Sequence, residues 1–416
     1  MTIHYEDDLV TLHHGDCVDA LRTLPDCSVT AVVTDPPYEI GFSYKDWDST
    51  GIAFSTEMWA ECLRVLKPGG WCLAFGGTRT WHRLACAVED SGFILRDQIA
   101  WIYRTGMPKG MDMGKIMEAY SRGLPASSGG IRQATKQDGG TLVLGEVGKR
   151  WEDTHTALKP AFEPIIMAQK PVDRSWAQNA DRHGCGPLMI APLRIKGTGS
   201  SIYRPRTMKA VFSKLVGDGA CTIEELEDIA MSGAPMPNGR DSKKELQRLQ
   251  EYLASSPTRG REDGRRFPMN VLVDDSLGLD GTQWSAFRYV AKPAASEQPR
   301  VGNLRHHTVK PLALMRWLIT LVSPPGAVVL DPFAGSGTTL EAAMQRGVKS
   351  IGIEKEDVHL PLIMQRIERQ HAAGDPILPP GDPRDFKAKK KTEPEQATDA
   401  DTLPLFGDTP HEKETK

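Results

Sequence analysis

The run Val29-Thr30-Ala31-Val32-Val33, followed at once by Thr34-Asp35-Pro36-Pro37-Tyr38, decides how this chain is read. An apolar run with no polar face reads as a buried strand of a parallel sheet. It ends in an acid, two prolines and an aromatic. In open α/β sheets, ligands bind outside the carboxyl ends of the strands. Pro36 and Pro37 have fixed φ and no amide hydrogen, so the turn is stiff and Pro36 offers only its carbonyl. A carboxylate, a fixed acceptor and an aromatic face suit a flat ring bearing an exocyclic amine. Asp35 and the Pro36 carbonyl would take its N–H groups and Tyr38 would stack on it, as on a base turned out of a duplex. Alone, Asp-Pro-Pro is ordinary turn chemistry and reads as structural. A second signal, far down the chain, changes that balance.

Outward from this stretch, strand and helix alternate. Upstream, Val10 to His14 reads as a short strand ending at Gly15-Asp16, and Val18 to Leu24 as a short helix stopped by Pro25-Asp26. Downstream, Phe54 to Leu66 has helical spacing and stops at Lys67-Pro68-Gly69-Gly70. Trp71 to Phe75 is the next strand, Thr78 to Ser91 a helix with Gly92 past its end, and Ile94 to Tyr103 another strand. Regularity fades from Arg104 to Pro160, where one helix is expected near Met113–Tyr120; Phe162 to Ala168 restores a strand. The pattern resumes with a helix at Pro311 to Val322 and a strand at Ala327 to Leu330. A helix then ends near Arg346, the strand Ser350 to Ile353 ends in Glu354, and a last helix covers about Asp357 to His371. This alternation predicts an α/β fold, a mostly parallel sheet with helices on both faces.

The second signal is Asp331-Pro332-Phe333-Ala334-Gly335-Ser336-Gly337-Thr338-Thr339, a strand end, a glycine-rich turn and a helix start. Gly335 and Gly337 permit close backbone approach to a ligand. No Lys follows Gly337, so this is not a P-loop, and the third glycine of a dinucleotide fingerprint is missing. Glu354, ending the next strand, is placed to bind ribose hydroxyls. S-adenosylmethionine, which has a ribose but no phosphates, suits a short loop flanked by acids.

Composition bounds the rest. The chain has 416 residues, 39% hydrophobic and 25% charged, which is enough for a large core and more than one folded unit. Its net charge of −3 gives no global pull towards nucleic acid, so any basic footprint must be local. One exists: Arg182 to Gly217 carries Arg182, Arg194, Lys196, Arg204, Arg206, Lys209 and Lys214 with no Asp or Glu. Two helices, Thr222–Met231 and Ser242–Ala254, are expected next, then a second basic cluster at Arg259, Arg261, Arg265 and Arg266. An isolated charge run usually reads as a solvated loop. No apolar run is long enough to span a membrane, and the acidic N-terminus is unlike a signal peptide. The seven cysteines are scattered without a Cys-x-x-Cys pair, which predicts reduced thiols, a cytoplasmic setting and no bound metal.

Four elements in one order resemble the DNA amino-methyltransferases of the circularly permuted class, in which Asp-Pro-Pro-Tyr precedes the cofactor motif. They are Leu12-His13-His14-Gly15-Asp16 running into Val33 to Tyr38; Val65 to Gly70; Phe287 to Pro293 with His307-Thr308-Val309-Lys310-Pro311; and Asp331 to Thr339. The resemblance covers both halves of the catalytic domain. It implies a permuted Rossmann-like methyltransferase sheet: residues 1–171 as the N-terminal half, 172–299 as an inserted target-recognition region, 300–372 as the C-terminal half, and 373–416 as a disordered tail. It further implies that Asp35 and the Pro36 carbonyl accept the target amine and that Tyr38 stacks on the flipped base. Asp331, Phe333, Gly335, Ser336 and Gly337 would line the methionine end of S-adenosylmethionine, Glu354 would hold its ribose and Asp16 its adenine amine. Thr308 and Lys310 would shape the helix beside the methionine moiety. Within this frame Arg194, Lys196, Arg204, Arg206 and Lys209 become candidate DNA contacts. Where the family often has His-Pro-Thr this chain has His306-His307-Thr308, and neither histidine is given a catalytic role.

The implied reaction is direct in-line methyl transfer to adenine N6 in double-stranded DNA, since the motif starts with Asp and not Ser. Cytosine N4 is the near alternative. Methylation at a cytosine ring carbon would need an activated Cys, typically after Pro, and no Pro-Cys pair occurs. Enzymes acting on RNA or a protein amide tend to put the cofactor motif first and to use Asn-Pro-Pro-Tyr. A DNA-binding protein that has lost catalysis is the alternative of another class, against which both motifs stand intact. Further candidate partners are a second copy of the chain and a cognate restriction enzyme, with location in a bacterial cytoplasm or, for a phage protein, that of its host.

Overall fold

The apolar runs become strands of one sheet in the computed structural model. It describes residues 2–41, 48–103, 110–158, 160–196, 247, 265–266, 270–273, 288–290, 293, 295–306, 308–374 and 378. In the N-terminal half the strands are β1 (Thr2–Glu6), β2 (Val10–His14), β3 (Val29–Thr34), β4 (Leu66–Phe75), β5 (Ile94–Ile102) and β6 (Phe162–Gln169). Short strands follow: β7 (Ile195–Lys196), β8 (Arg265–Arg266), β9 (Val271–Val273), β10 (Arg288–Tyr289), β11 (Arg300–Val301) and β12 (Leu304–Arg305). The last two are β13 (Val328–Asp331) and β14 (Lys349–Glu354). The helices are α1 (Cys17–Thr23), α2 (Thr56–Val65), α3 (Trp81–Asp90), α4 (Met113–Ser121), α5 (Ser128–Gln137), α6 (Glu146–Arg150), α7 (Trp176–His183), α8 (Leu312–Val322), α9 (Thr338–Gln345) and α10 (Leu360–Ala373).

The sheet order is β1-β2-β14-β13-β3-β4-β6-β5-β9-β10. Strands from the C-terminal end of the chain therefore sit between β2 and β3. Among the described residues of this sheet, β1 and β6 run against the common direction and the other strands pair in parallel or point the same way. Every residue of β3 is buried, as a strand covered on both faces requires. Ala31 and Val33 pack with α8, whose residues are buried except Ala313. Val29 and Val32 pack with α1, α2 and α3 on the other face. Helices α9 and α10 pack over β2 through Leu340, Met344, Ile363 and Ile367. The architecture is a mostly parallel, Rossmann-like sheet between two helical layers.

Several details depart from the sequence reading. The acidic N-terminus forms a strand, β1, antiparallel to β2, with Ile3 opposite His13. The helix before Lys67-Pro68-Gly69-Gly70 ends at Val65, and β4 starts directly at Leu66. Strand β6 does not join the parallel set. It returns along β5 as a hairpin, with Ile102 opposite Phe162, and such a return needs no crossover. The hairpin tip is not irregular: it carries α4, α5 and α6. There Arg122 holds Glu118 at 2.9 Å and Asp138 at 2.8 Å, fixing α4 against the turn after α5.

Within the 172–299 span, several elements belong to the main body. Helix α7 is tied to the start of β4, where Asn179 Nδ2 donates to the Pro68 carbonyl at 3.0 Å. β9 extends the sheet beside β5, and β10 extends it further. At the far end, Leu378 is buried and its amide donates to the Gln345 carbonyl at 2.7 Å. The helices expected at Thr222–Met231 and Ser242–Ala254, and the tail beyond residue 378, lie outside the described residues. No helix among the described residues is long and apolar enough to cross a membrane.

Candidate active site

Strands β3 and β13 are parallel neighbours, with Ala31 opposite Val329 and Val32 opposite Leu330. Their carboxyl ends consequently leave the same edge of the sheet side by side. Thr34, the last residue of β3, donates from its hydroxyl to Asp331 Oδ1 at 2.6 Å. The two sequence signals, distant in the chain, thus meet in one hydrogen bond. Above them opens a cavity of about 840 Å³, within the size range of small-molecule sites.

The Asp331 side of the cavity holds the glycine-rich turn. Asp331 is buried, and burial raises its carboxyl to about 6 against the hydroxyls of Thr339 and Thr34. Phe333, Gly335 and Ser336 line the cavity. Gly335 has φ +54°, and a Cβ there would lie 3.3 Å from His306 Nε2. Gly337 does not line the cavity. Its φ of +79° starts α9, and a Cβ there would come within 3.2 Å of the Ile363 backbone, so it is a packing glycine.

Glu354 ends β14 at the same edge. Its Oε2 accepts the Gly335 amide at 2.7 Å, and Oε1 accepts the Glu356 amide at 2.8 Å and faces His359 Nδ1 at 3.2 Å. A carboxylate has about four lone-pair positions, so roughly one, on Oε2, is left for a ligand hydroxyl. Asp16 Oδ1 caps α1 at the Val18 amide, 3.0 Å away, and its Oδ2 lies 3.3 Å from Lys355. Asp16 and Thr308 both line the cavity. The residues present fit a nucleoside-bearing cation: acids at two ends, an apolar wall at Phe333, and a turn closely approached by His306. His306 packs edge-on to His359 with ring centroids 4.7 Å apart. His307 lies outside the described residues.

The Asp35 side differs from expectation at one residue. Lys310 does not sit with the cofactor turn. Its ammonium lies 2.7 Å from Asp35 Oδ2, 3.2 Å from Glu163 Oε2 and 3.1 Å from the Tyr38 hydroxyl. Tyr38 donates to Glu163 Oε2 at 2.8 Å, and Tyr103 donates to Glu163 Oε1 at 3.0 Å. Pro36, Pro37 and Tyr38 line the cavity beside Asp35. Asp35 Oδ1 is buried with no hydrogen-bond partner among the described residues.

Burial pushes the Asp35 carboxyl up, and Glu163 adds to this against the pull of Lys310. Burial also pushes Glu163 up, but Lys310 and the two tyrosine hydroxyls hold it below the ordinary value. Burial pulls Lys310 down, but Asp35 and Glu163 outweigh it and hold the ammonium above the usual lysine range. Glu163 was not singled out from sequence. It opens β6, and a parallel strand would have started at the opposite edge of the sheet. Asp48, also missed, ties the loop after Tyr38 by accepting the Glu39 amide at 2.9 Å.

The basic candidates are only partly placed. Arg194 follows a short helical turn at Ala191–Leu193, outside the cavity wall. Lys196 lies in β7, whose antiparallel partner β8 sets it opposite Arg265. The two basic clusters of the sequence are thereby joined in one ladder. Arg182 pairs with Asp173 at 2.9 Å. Arg204, Arg206 and Lys209 lie outside the described residues. Among the described residues no group of His, Cys, Asp or Glu is disposed to hold a metal ion.

A family model described as DNA methylase matches residues 29–365. The type II methyltransferase M.HindIII of Haemophilus influenzae is 22% identical over 389 residues, covering 83% of this chain and 91% of its own. The type II methyltransferase M.HpaI of Haemophilus parainfluenzae is 33% identical over 101 residues, covering 23% of this chain and 32% of its own. Among solved structures, the cytosine-N4-specific PvuII DNA methyltransferase aligns at 12% identity and a TM-score of 0.45, covering 89% of this chain and 93% of that one.

Proposed function

The chain belongs to the DNA methylase family, and on that premise we propose that it transfers a methyl group from S-adenosylmethionine to adenine N6 in duplex DNA. The observation that carries the reading is the pairing of sites across the Thr34–Asp331 hydrogen bond of 2.6 Å. One side of the cavity is lined by Asp35, whose buried Oδ1 has no hydrogen-bond partner among the described residues; the other offers acids around a glycine turn. The order of the strands, with β14 and β13 between β2 and β3, supports the circular permutation inferred from motif order.

S-adenosylmethionine, when bound, supplies an electrophilic methyl on a sulfonium. Asp331, Phe333, Gly335 and Ser336 would hold its methionine end, Glu354 its ribose through the remaining Oε2 position, and Asp16 its adenine. The chain does the rest by placement. Asp35 Oδ1 accepts one N–H of the target amine and the Pro36 carbonyl the other, drawing the nitrogen lone pair out of conjugation. Tyr38, tethered by its hydroxyl, presents its ring to the flipped base. Holding the reactants in line supplies much of the acceleration. We assign target recognition to the region around Arg194, Lys196, Arg204, Arg206 and Lys209, with phosphate contact as the main role.

The test is incubation of unmethylated duplex DNA with S-adenosylmethionine and the protein, followed by digestion and mass spectrometry of the nucleosides. N6-methyladenine from the parent and none from Asp35→Ala is the expected result. N4-methylcytosine would keep the fold and change the base. Cofactor binding without any modified nucleoside across varied DNAs would overturn the DNA methyltransferase reading.

A further inference from the structure

We propose that Glu163 is a positioning residue for methyl transfer: by sharing Lys310 with Asp35, it orients the carboxylate and keeps one negative charge in excess beside the target amine. This rests on the methyltransferase reading above and assigns a role to a residue outside both motifs.

The geometry carries the argument. Lys310 has three ammonium hydrogens, and three acceptors surround it: Asp35 Oδ2 at 2.7 Å, Tyr38 Oη at 3.1 Å and Glu163 Oε2 at 3.2 Å. Two of these contacts are hydrogen bonds and the third is an ion pair, and together they hold the ammonium on the Oδ2 side of Asp35. Oδ1 is left without a partner among the described residues, and Asp35 itself lines the cavity. Glu163 also gathers the hydroxyls of Tyr38 and Tyr103, so one carboxylate fixes the stacking ring and the ammonium together.

The charge count is the second part. Lys310 against Asp35 alone would be a neutral pair, with the carboxylate's charge fully answered. Glu163 adds a second carboxylate to one ammonium, leaving a net charge of one negative unit. That surplus faces a nitrogen that turns cationic as its bond to methyl forms and the methyl–sulfur bond breaks, with the bonding pair staying on sulfur. The proton then leaving the nitrogen passes to an acceptor at the amine, a role open to the Asp35 carboxylate. Among the described residues, the charged and titratable groups facing Asp35 are Lys310, Glu163, Tyr38 and, across the β3–β13 boundary, Asp331.

Glu163→Gln keeps the volume and an acceptor but removes the charge. Turnover is expected to fall by roughly 10- to 100-fold, below the loss typical of a direct transition-state donor, with the Kd for S-adenosylmethionine unchanged. Relieved of its neighbour and given Lys310 undivided, Asp35 should titrate lower by about 1–2 pH units. The acid limb of kcat and the ¹³C-carboxyl NMR midpoint of Asp35, assigned with Asp35→Asn, both read this shift. Glu163→Asp should recover part of kcat and return both midpoints towards the parent. A thermal melt controls for folding. Loss of activity in Glu163→Gln with both midpoints unmoved would make Glu163 merely structural and overturn the proposal. An unchanged kcat would do the same. A parent protein that transfers no methyl group would instead sink the reading on which the proposal rests, whatever the NMR midpoints do.

Discussion

Lys310→Met removes the ammonium that pairs with Asp35 and Glu163 while keeping a long, buried side chain. Both carboxylate oxygens touch the same nitrogen, at 2.7 and 3.2 Å, so they lie at most about 6 Å apart, where two unit charges repel by about 3 kcal/mol at an effective dielectric near 20, or about 2 pKa units. Without the ammonium, Asp35, already raised by burial, should rise further, and Glu163 should lose the main influence that lowers it. The sign follows from linkage. A carboxyl whose folded pKa lies above its unfolded value favours the fold below the unfolded pKa and loses that contribution as pH rises through the folded one. The variant should therefore be less stable than the parent by about 3–5 kcal/mol at pH 8, the usual cost of breaking a buried pair from one side. The deficit should shrink as pH falls and the carboxylates take up protons. Urea unfolding at pH 5 and pH 8 reads the difference, and the acid limb of kcat should move up by about 2 pH units. Equal destabilisation at both pH values, or an acid limb that stays in place, would refute the reasoning.

Three further outcomes follow from the same geometry, and a fourth from the proposed DNA contacts. Burial sets the Asp331 carboxyl at about 6, so the Kd for S-adenosylmethionine should rise as pH falls below this, by up to about tenfold per pH unit; calorimetry across pH 5–8 checks it, and Asp331→Asn should flatten the profile. Tyr38→Phe keeps the stacking ring but loses the bonds to Glu163 and Lys310, so kcat should fall with little change in DNA affinity, whereas Tyr38→Ala should also weaken base capture by about 1–3 kcal/mol, read by 2-aminopurine fluorescence at the target position. Gly337→Ala meets both a φ of +79° and the Ile363 backbone, so it should cost about 1–2 kcal/mol or more in thermal stability. Arg204→Ala and Arg206→Ala should each lower the slope of log affinity against log salt by about one without abolishing methylation of short duplexes at low salt.

The core of the fold was legible because its strands are buried on both faces. Val29–Thr34 and Val328–Asp331 carry that status in their composition, and the acids and glycines after them mark the edge where ligands bind. Asp35, Tyr38, Asp331 and Glu354 all come to one cavity for this reason. What composition cannot carry is strand direction. Phe162–Gln169 reads equally well either way, and only its antiparallel pairing with β4 and β5 brings Glu163 to the site. That the Lys310 ammonium sits on Asp35 was hidden for a related cause. Its position just before α8 fixes the backbone, but a lysine side chain is long enough to reach either half of the cavity, and two carboxylates drew it to Asp35. Gly337 shows the same ambiguity in reverse, since a glycine at a turn serves a ligand or a neighbouring helix with the same signature. The helices at the tip of the β5–β6 hairpin were missed in part because α6 is a short helix and α5 begins with Ser128-Gly129-Gly130, a poor helix start by propensity.

The position of β13 and β14 has a consequence for how the protein is made. The central pairing joins β3, complete once Thr34 has emerged, to a strand that begins at Val328. Everything between must first leave the ribosome, and at roughly 5–20 residues per second this takes roughly 15–60 s. Throughout that interval β2 and β3 each present an open, apolar edge, the kind of surface on which nascent chains associate wrongly. A premature stop before Val328 would leave β2 and β3 without the two strands that bridge them. The cavity therefore gains its second wall late, when β13 and β14 enter the gap and bring Asp331 and Glu354 beside Asp35.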